Sequence, residues 1–236
     1  MSNNYFNFKQ FTVNQEKSAF KVGTDGVLLG AIADVNGKKN VLDIGTGTGL
    51  ISLIVAQRCD ADIIAIEIDN GSFCEAQENV IKSRWSSRIK VINTDLQSYF
   101  PDGEKFDLII SNPPFFTDSL KNPDHRKSAA RHNDTLTTSE LLKGVERLLE
   151  KDGIFQLIMP YVEGNILIAE APQYGLFCNS ILKIRPLPTS EIRRLILTFS
   201  RNQIKQVERF LTIENGKRHE FTEEYINLIK EFYLKF

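Results

Sequence analysis

The chain has 236 residues, 42% of them hydrophobic, which suffices for one large domain with a sizeable core. Its 29 Lys and Arg nearly balance 30 Asp and Glu, so overall charge drives no nucleic-acid binding and any such contact falls to a local patch. No apolar run approaches the roughly 20 residues of a membrane span, and Met1-Ser2-Asn3-Asn4-Tyr5 lacks a signal-peptide pattern. Cys59, Cys74 and Cys178 are odd in number and widely spaced. They form neither a disulfide framework nor a metal-ligand set, so no metal and a reducing cytoplasm are expected.

In chain order, Phe6, Phe8, Phe11 and Val13 alternate with polar residues and predict one or two short strands, a small flap before the main domain. Lys21-Val22-Gly23-Thr24-Asp25-Gly26 leads into an apolar run to Ala33, and a helix is predicted from near Asp25. Residues 1–33 are thus read as an N-terminal extension of a single domain spanning 1–236.

The stretch Val41 to Leu53 organises the rest. A strand at 40–44 breaks into Gly45-Thr46-Gly47-Thr48-Gly49, and helical spacing resumes to about Gln57. Glycines there permit positive φ and let a ligand lie against the backbone at a helix start. The dinucleotide fingerprint needs a glycine at position 50, where Leu stands, and Asp43 beside the turn would repel a pyrophosphate. A cationic ligand without phosphate, S-adenosylmethionine, fits better; the plainer reading is a tight strand–helix connection.

A second strand, 62–67, ends in Glu67, 22 positions after Gly45. Ligands of open parallel sheets bind at the carboxyl ends of strands, where such an acid can accept both ribose hydroxyls. Asp69 is read as the cap of an amphipathic helix to about Ser83. A third strand, 89–93, is followed by Asp95, suited to an adenine amino group. The fourth, 106–111, runs into Asn112-Pro113-Pro114-Phe115. Two prolines after an Asn stiffen the backbone where the strand reaches the crevice. The Asn112 side-chain oxygen and the Pro113 carbonyl can accept both protons of a planar –NH2, and Phe115 can stack on its ring. A polar loop to about Thr137, a helix to Glu150, a strand at 153–159 and a helix at 162–174 come next. Strands around 178–184 and 194–199 are predicted to pair antiparallel and close the sheet.

The glycine turn, Glu67, Asp95 and the Asn-Pro-Pro-Phe segment together resemble the class I S-adenosylmethionine-dependent methyltransferases that modify exocyclic or amide nitrogens. The resemblance implies a Rossmann-like α/β fold with a mostly parallel seven-stranded sheet and an antiparallel last strand. It implies that Asp43, Gly45, Gly47 and Gly49 form the methionine-moiety turn, Glu67 the ribose acid, Asp95 and Leu96 the adenine site, and Asn112, Pro113, Pro114 and Phe115 the amine-binding motif. Phe8 to Val13, Lys21 to Ala31, Ile109 to Phe115 and Glu231 to Leu234 look more narrowly like the bacterial tRNA1(Val) adenine-37 N6-methyltransferase family. This likeness covers nearly the whole chain and brings Lys21, Gly23 and Thr24 to the cofactor. It departs at Lys17-Ser18-Ala19-Phe20, at Ile32 and at Phe115, where the family has a small-Cys-Ala-Met approach, a Trp and a Tyr.

The implied substrate is an exposed tRNA loop base that can be splayed into a pocket. Lys121, Arg126, Lys127, Arg131 and His132 after the motif, with Arg193, Arg194 and Arg201, are candidate phosphate contacts. His132 is a weak candidate for a catalytic base. A protein glutamine acceptor or another nucleic-acid amine fits the same four-residue motif, and a non-catalytic nucleotide-binding module remains the alternative from a different class.

Overall fold

The computed structural model describes residues 3–18, 20–113 and 136–236. A strand pair opens it, β1 (Tyr5–Asn7) with β2 (Thr12–Asn14), followed by α1 (Thr24–Ile32). Then β3 (Asn40–Ile44), α2 (Leu50–Arg58), β4 (Asp62–Glu67), α3 (Asn70–Ile81), β5 (Ile89–Asn93) and β6 (Phe106–Ser111) alternate as expected. After the segment left undescribed come α4 (Thr138–Leu148), β7 (Leu149–Pro160), α5 (Tyr161–Glu170) and a 3-10 turn at Ala171–Tyr174. The chain closes with β8 (Phe177–Arg185), β9 (Arg194–Ser200), β10 (Val207–Thr212) and α6 (Glu223–Ile229). Among the described residues no helix is long and apolar enough to cross a membrane.

The main sheet has the order β10-β8-β9-β7-β6-β3-β4-β5. The class is the expected one, with one correction of detail. The sheet has eight strands rather than seven, because β10 adds to β8 in parallel. The strand expected to run antiparallel, at 194–199, does so as β9, which lies between β7 and β8. From β3 the chain builds outward through β4 and β5, then returns to β3's other side with β6 and β7. That reversal opens a crevice at the carboxyl ends of β3 and β6.

Strand residues sort by alternation onto the two faces. Val41, Leu108 and Ile110 pack beneath α1 and α2, while Leu42, Ile44 and Ile109 pack beneath α4 with Leu141, Leu142 and Val145. Asp43 shares the face of Val41 and is therefore carried under α2.

The N-terminal strands, read from sequence as a flap, are packed into the core: Phe8, Phe11 and Val13 are buried. Phe8 bridges to Tyr233, and Lys9 Nζ donates to the carbonyls of Lys230 and Phe236 at 2.7 and 2.6 Å. Two polar side chains one turn apart on α3 hold the end of β2 and the residues just after it. Glu75 accepts the amides of Glu16, Lys17 and Ser18 at 2.6, 3.0 and 2.8 Å, and Asn79 pairs with both backbone polar groups of Asn14 at 2.9 Å.

Candidate active site

Strand register builds the centre of the site. β3 and β6 are parallel neighbours with Ile44 opposite Ser111, and Ser111 Oγ donates to the Ile44 carbonyl at 2.9 Å. Gly45 and Asn112, the next residue on each strand, therefore leave the sheet side by side, about 4.8 Å apart as adjacent strands are.

Gly45, Gly47 and Gly49 have φ of 69°, 57° and 81°, the left-handed region that glycine enters without strain. A Cβ added at Gly45 or Gly47 would meet no atom within 4 Å, whereas one at Gly49 would touch Ala76 at 3.6 Å. The first two glycines thus border open space and the third lets α3 approach. The amides of Gly45 and Thr46 are fixed by the Ile66 carbonyl at 2.9 and 3.1 Å.

Asp43 is fully buried. Its Oδ2 accepts from Thr46 Oγ1 at 2.6 Å and Ser52 Oγ at 2.7 Å, while its Oδ1 has no hydrogen-bond partner. Burial pushes its pKa up to about 6, against those two hydroxyls, and the nearby Glu67 carboxylate adds to the rise. Glu67 ends β4 as expected. Its Oε2 accepts the Gly47 amide at 2.8 Å and its Oε1 the Asp69 amide at 2.9 Å. Burial raises its pKa too, with those amides opposing. Asp69 caps α3 as predicted, accepting from the Ser72 amide at 2.7 Å.

Asp95 turns back on its own loop, accepting the Ser98 amide at 2.6 Å and the Ser98 hydroxyl at 3.0 Å. Leu96 is buried against α4, where a Cβ on Gly144 would fall 2.4 Å from its Cδ2. Arg147 fixes the same loop, donating to the Leu96 carbonyl at 2.6 Å and lying 4.0 Å from the Phe100 ring. The Leu96 side chain is therefore core.

Asn112 is half-buried and Pro113 buried. An ideal Cβ on Gly26 would lie 3.8 Å from Asn112 Nδ2 and 3.1 Å from Leu50 Cδ2, so a larger residue there would need the Leu50 side chain to give by a few tenths of an ångström. Gly23 is the N-cap residue of α1, and Lys21, Gly23 and Thr24 lie exposed on the approach to it. Pro114, Phe115, Lys121, Arg126, Lys127, Arg131 and His132 fall outside the described residues. Arg194, read as a phosphate contact, instead ion-pairs with Asp25 in the first turn of α1, Nε to Oδ2 at 2.7 Å. Arg201 donates to the carbonyls of Glu146 and Leu149 where α4 ends, which is a structural role. Sequence reasoning missed Glu75, Asn79, Arg147 and Asp25. It also missed Ser52, which a lone hydroxyl inside Leu50-Ile51-Ser52-Leu53 signals.

These residues fit S-adenosylmethionine. The glycine cradle is open, the strand-end acid Glu67 can take hydroxyls on its remaining lone pairs, and the unpartnered buried oxygen of Asp43 favours a cationic ligand over a phosphate. When bound, the cofactor supplies an electrophilic methyl group on a sulfonium. Fold and site define a class I, S-adenosylmethionine-dependent methyltransferase. A family model described as "Methyltransferase small domain" matches residues 17–162. A tRNA1(Val) (adenine(37)-N6)-methyltransferase of Bacteroides thetaiotaomicron is 46% identical over 99% of both chains, and one of Phocaeicola vulgatus is 48% identical over 99% of both. This chain belongs to the tRNA1(Val) (adenine(37)-N6)-methyltransferase family. Among solved structures, a predicted O-methyltransferase from Agrobacterium tumefaciens aligns with a TM-score of 0.64 at 21% identity, covering 88% of this chain and 96% of its own. The likeness there is one of fold alone.

Proposed function

We propose that this chain transfers the methyl group of S-adenosylmethionine to N6 of adenosine 37 in the anticodon loop of tRNA1(Val). The observation carrying the reading is the pairing of Ile44 with Ser111, which sets Asn112 beside the glycine turn. The full-length identity to relatives named for that reaction supports the substrate.

In this reading Asn112 Oδ1 and the Pro113 carbonyl accept the two hydrogens of the adenine amine and draw its nitrogen toward a pyramidal form. The lone pair is then aimed at the methyl carbon. As the N–C bond forms, the S–C bond breaks, and the nitrogen releases one proton to water after charge has developed. No strong base is needed, so positioning and electrostatics provide the rate. Phe115 stacks on the adenine, and Lys121, Arg126, Lys127 and Arg131 take phosphates. Arg194 serves the acceptor side indirectly by holding Asp25 and the start of α1. A tRNA substrate agrees with a cytoplasmic setting.

Nucleoside mass spectrometry of purified tRNA1(Val) from cells lacking this protein tests the reading. Loss of N6-methyladenosine, restored by the purified enzyme and cofactor in vitro, is expected. Unchanged N6-methyladenosine in that tRNA contradicts it.

A further inference from the structure

β6 and β7 are parallel neighbours with Ser111 opposite Leu157, so the residues after each strand emerge on one edge. Asn112 comes one residue past that pair and Tyr161 four. At about 3.3 Å per residue, Tyr161 starts about 10 Å further out than Asn112. β9 enters the same edge from the opposite direction, with Arg194 opposite Pro160. The Tyr161 amide donates to the Arg193 carbonyl at 3.2 Å, and the Arg193 amide to the Ile184 carbonyl at 2.8 Å. Asn165 Nδ2 closes on the Tyr161 carbonyl at 2.6 Å. The backbone that presents these side chains is therefore tied down on three sides.

What it presents is unusual for a helix start. Tyr161 is 44% exposed, Val162 65% and Ile166 48%, and Val162 and Ile166, four apart, share one face. Arg193 is exposed beside them and forms no ion pair among the described residues. Exposed apolar side chains gathered at one helix start are candidates for a binding surface. An aromatic ring next to a guanidinium is the pairing that stacks an unpaired base and neutralises its phosphate. The offset of about 10 Å sets the Tyr161 backbone beyond Asn112, a spacing that suits the nucleotide next to the acceptor.

We propose that Tyr161 stacks on the loop base flanking the acceptor adenosine, with Val162 and Ile166 as its apolar floor and Arg193 on the adjoining phosphate. The proposal rests on the RNA reading above and names the surface that selects the loop.

Fluorescence anisotropy of the full-length enzyme with an anticodon stem-loop RNA carrying adenosine 37 tests it. Tyr161→Ala raises the RNA Kd about 5- to 150-fold, the range for losing one base–aromatic stack. Tyr161→Phe stays within about twofold of wild type, because the ring does the work. Arg193→Gln lowers the slope of log affinity against log salt by about one. Cofactor affinity by calorimetry and Tm remain at wild-type values for all three, since the side chains are exposed. A Tyr161→Ala enzyme that binds the stem-loop like wild type, or a Tyr161→Phe enzyme as weak as Tyr161→Ala, overturns the stacking surface. If wild type methylates the stem-loop while Tyr161→Ala is unaffected, only this proposal fails. If wild type neither binds nor methylates it, the RNA reading fails as well.

Discussion

Asn79 Nδ2 donates to the Thr48 carbonyl at 2.9 Å, joining α3 to the middle of the glycine turn. Because the same side chain also pairs with Asn14, one buried amide couples β2 to the cradle. Asn79→Ala leaves three backbone groups without partners. It is expected to reduce unfolding free energy by about 2–4 kcal/mol, given about 1–3 kcal/mol per unsatisfied buried group with partial rescue by water. Urea denaturation measures this, and a loss below about 0.5 kcal/mol would show that the joint carries little.

Glu75 makes the neighbouring joint, and its pH dependence has a definite sign. Hydrogen bonds from Ser18, Lys17 and Glu16 outweigh its burial and hold its carboxyl below the ordinary value of 4.5. Its contribution is thus present above pH 4.5 and lost as pH falls through the lowered folded-state value. Glu75→Gln is expected to cost about 1–3 kcal/mol at neutral pH. The gap from wild type should close in acid. Denaturation midpoints at pH 7 and pH 3.5 measure it, and a gap of equal size at both would contradict the ionic origin.

Local grammar made some of this legible. The glycine turn, the acids ending β4 and following β5 and the cap at Asp69 each announce themselves within a few residues. β10 did not, because as an edge strand it exposes Val207 through Phe210 and buries only Leu211, leaving no alternation to detect. Glu75 and Asn79 read as the polar face of an amphipathic helix. Their partners are backbone groups more than 30 positions away, which no local pattern encodes. Arg194 read as a free cation for the same reason, since Asp25 lies 169 positions earlier.

Asp43 behaves oppositely to Glu75. Its folded-state pKa is raised from 3.8 to about 6, so the folded state binds the proton more tightly and Asp43 disfavours folding increasingly as pH rises through that window. The full effect is about 3 kcal/mol, because a tenfold change in proton affinity is worth about 1.4 kcal/mol. Asp43→Asn keeps an acceptor for Thr46 and Ser52 and removes the charge. Relative to wild type the variant should gain about 2.4 kcal/mol between pH 4 and pH 7 on the same scale, on top of any constant offset from its buried –NH2. A difference that does not change with pH would contradict the raised value.

Glu67→Ala is expected to weaken S-adenosylmethionine binding by about 1–3 kcal/mol, the scale of losing charge-assisted hydrogen bonds. Part of that loss comes from freeing the Gly47 amide that Glu67 holds at 2.8 Å. Isothermal calorimetry reports it directly, and an unchanged dissociation constant would remove Glu67 from the site.

The division of labour between cradle and clamp is tested most directly by Asn112→Ala, assayed in parallel for cofactor affinity and for methyl transfer to tRNA1(Val). With Asn112 on the acceptor side, as proposed, transfer should fall by at least about 100-fold, as when a transition-state hydrogen-bonding partner is removed. The S-adenosylmethionine dissociation constant should stay within about threefold of wild type. Equal losses in binding and transfer, or a variant that still methylates at the wild-type rate, would contradict the account.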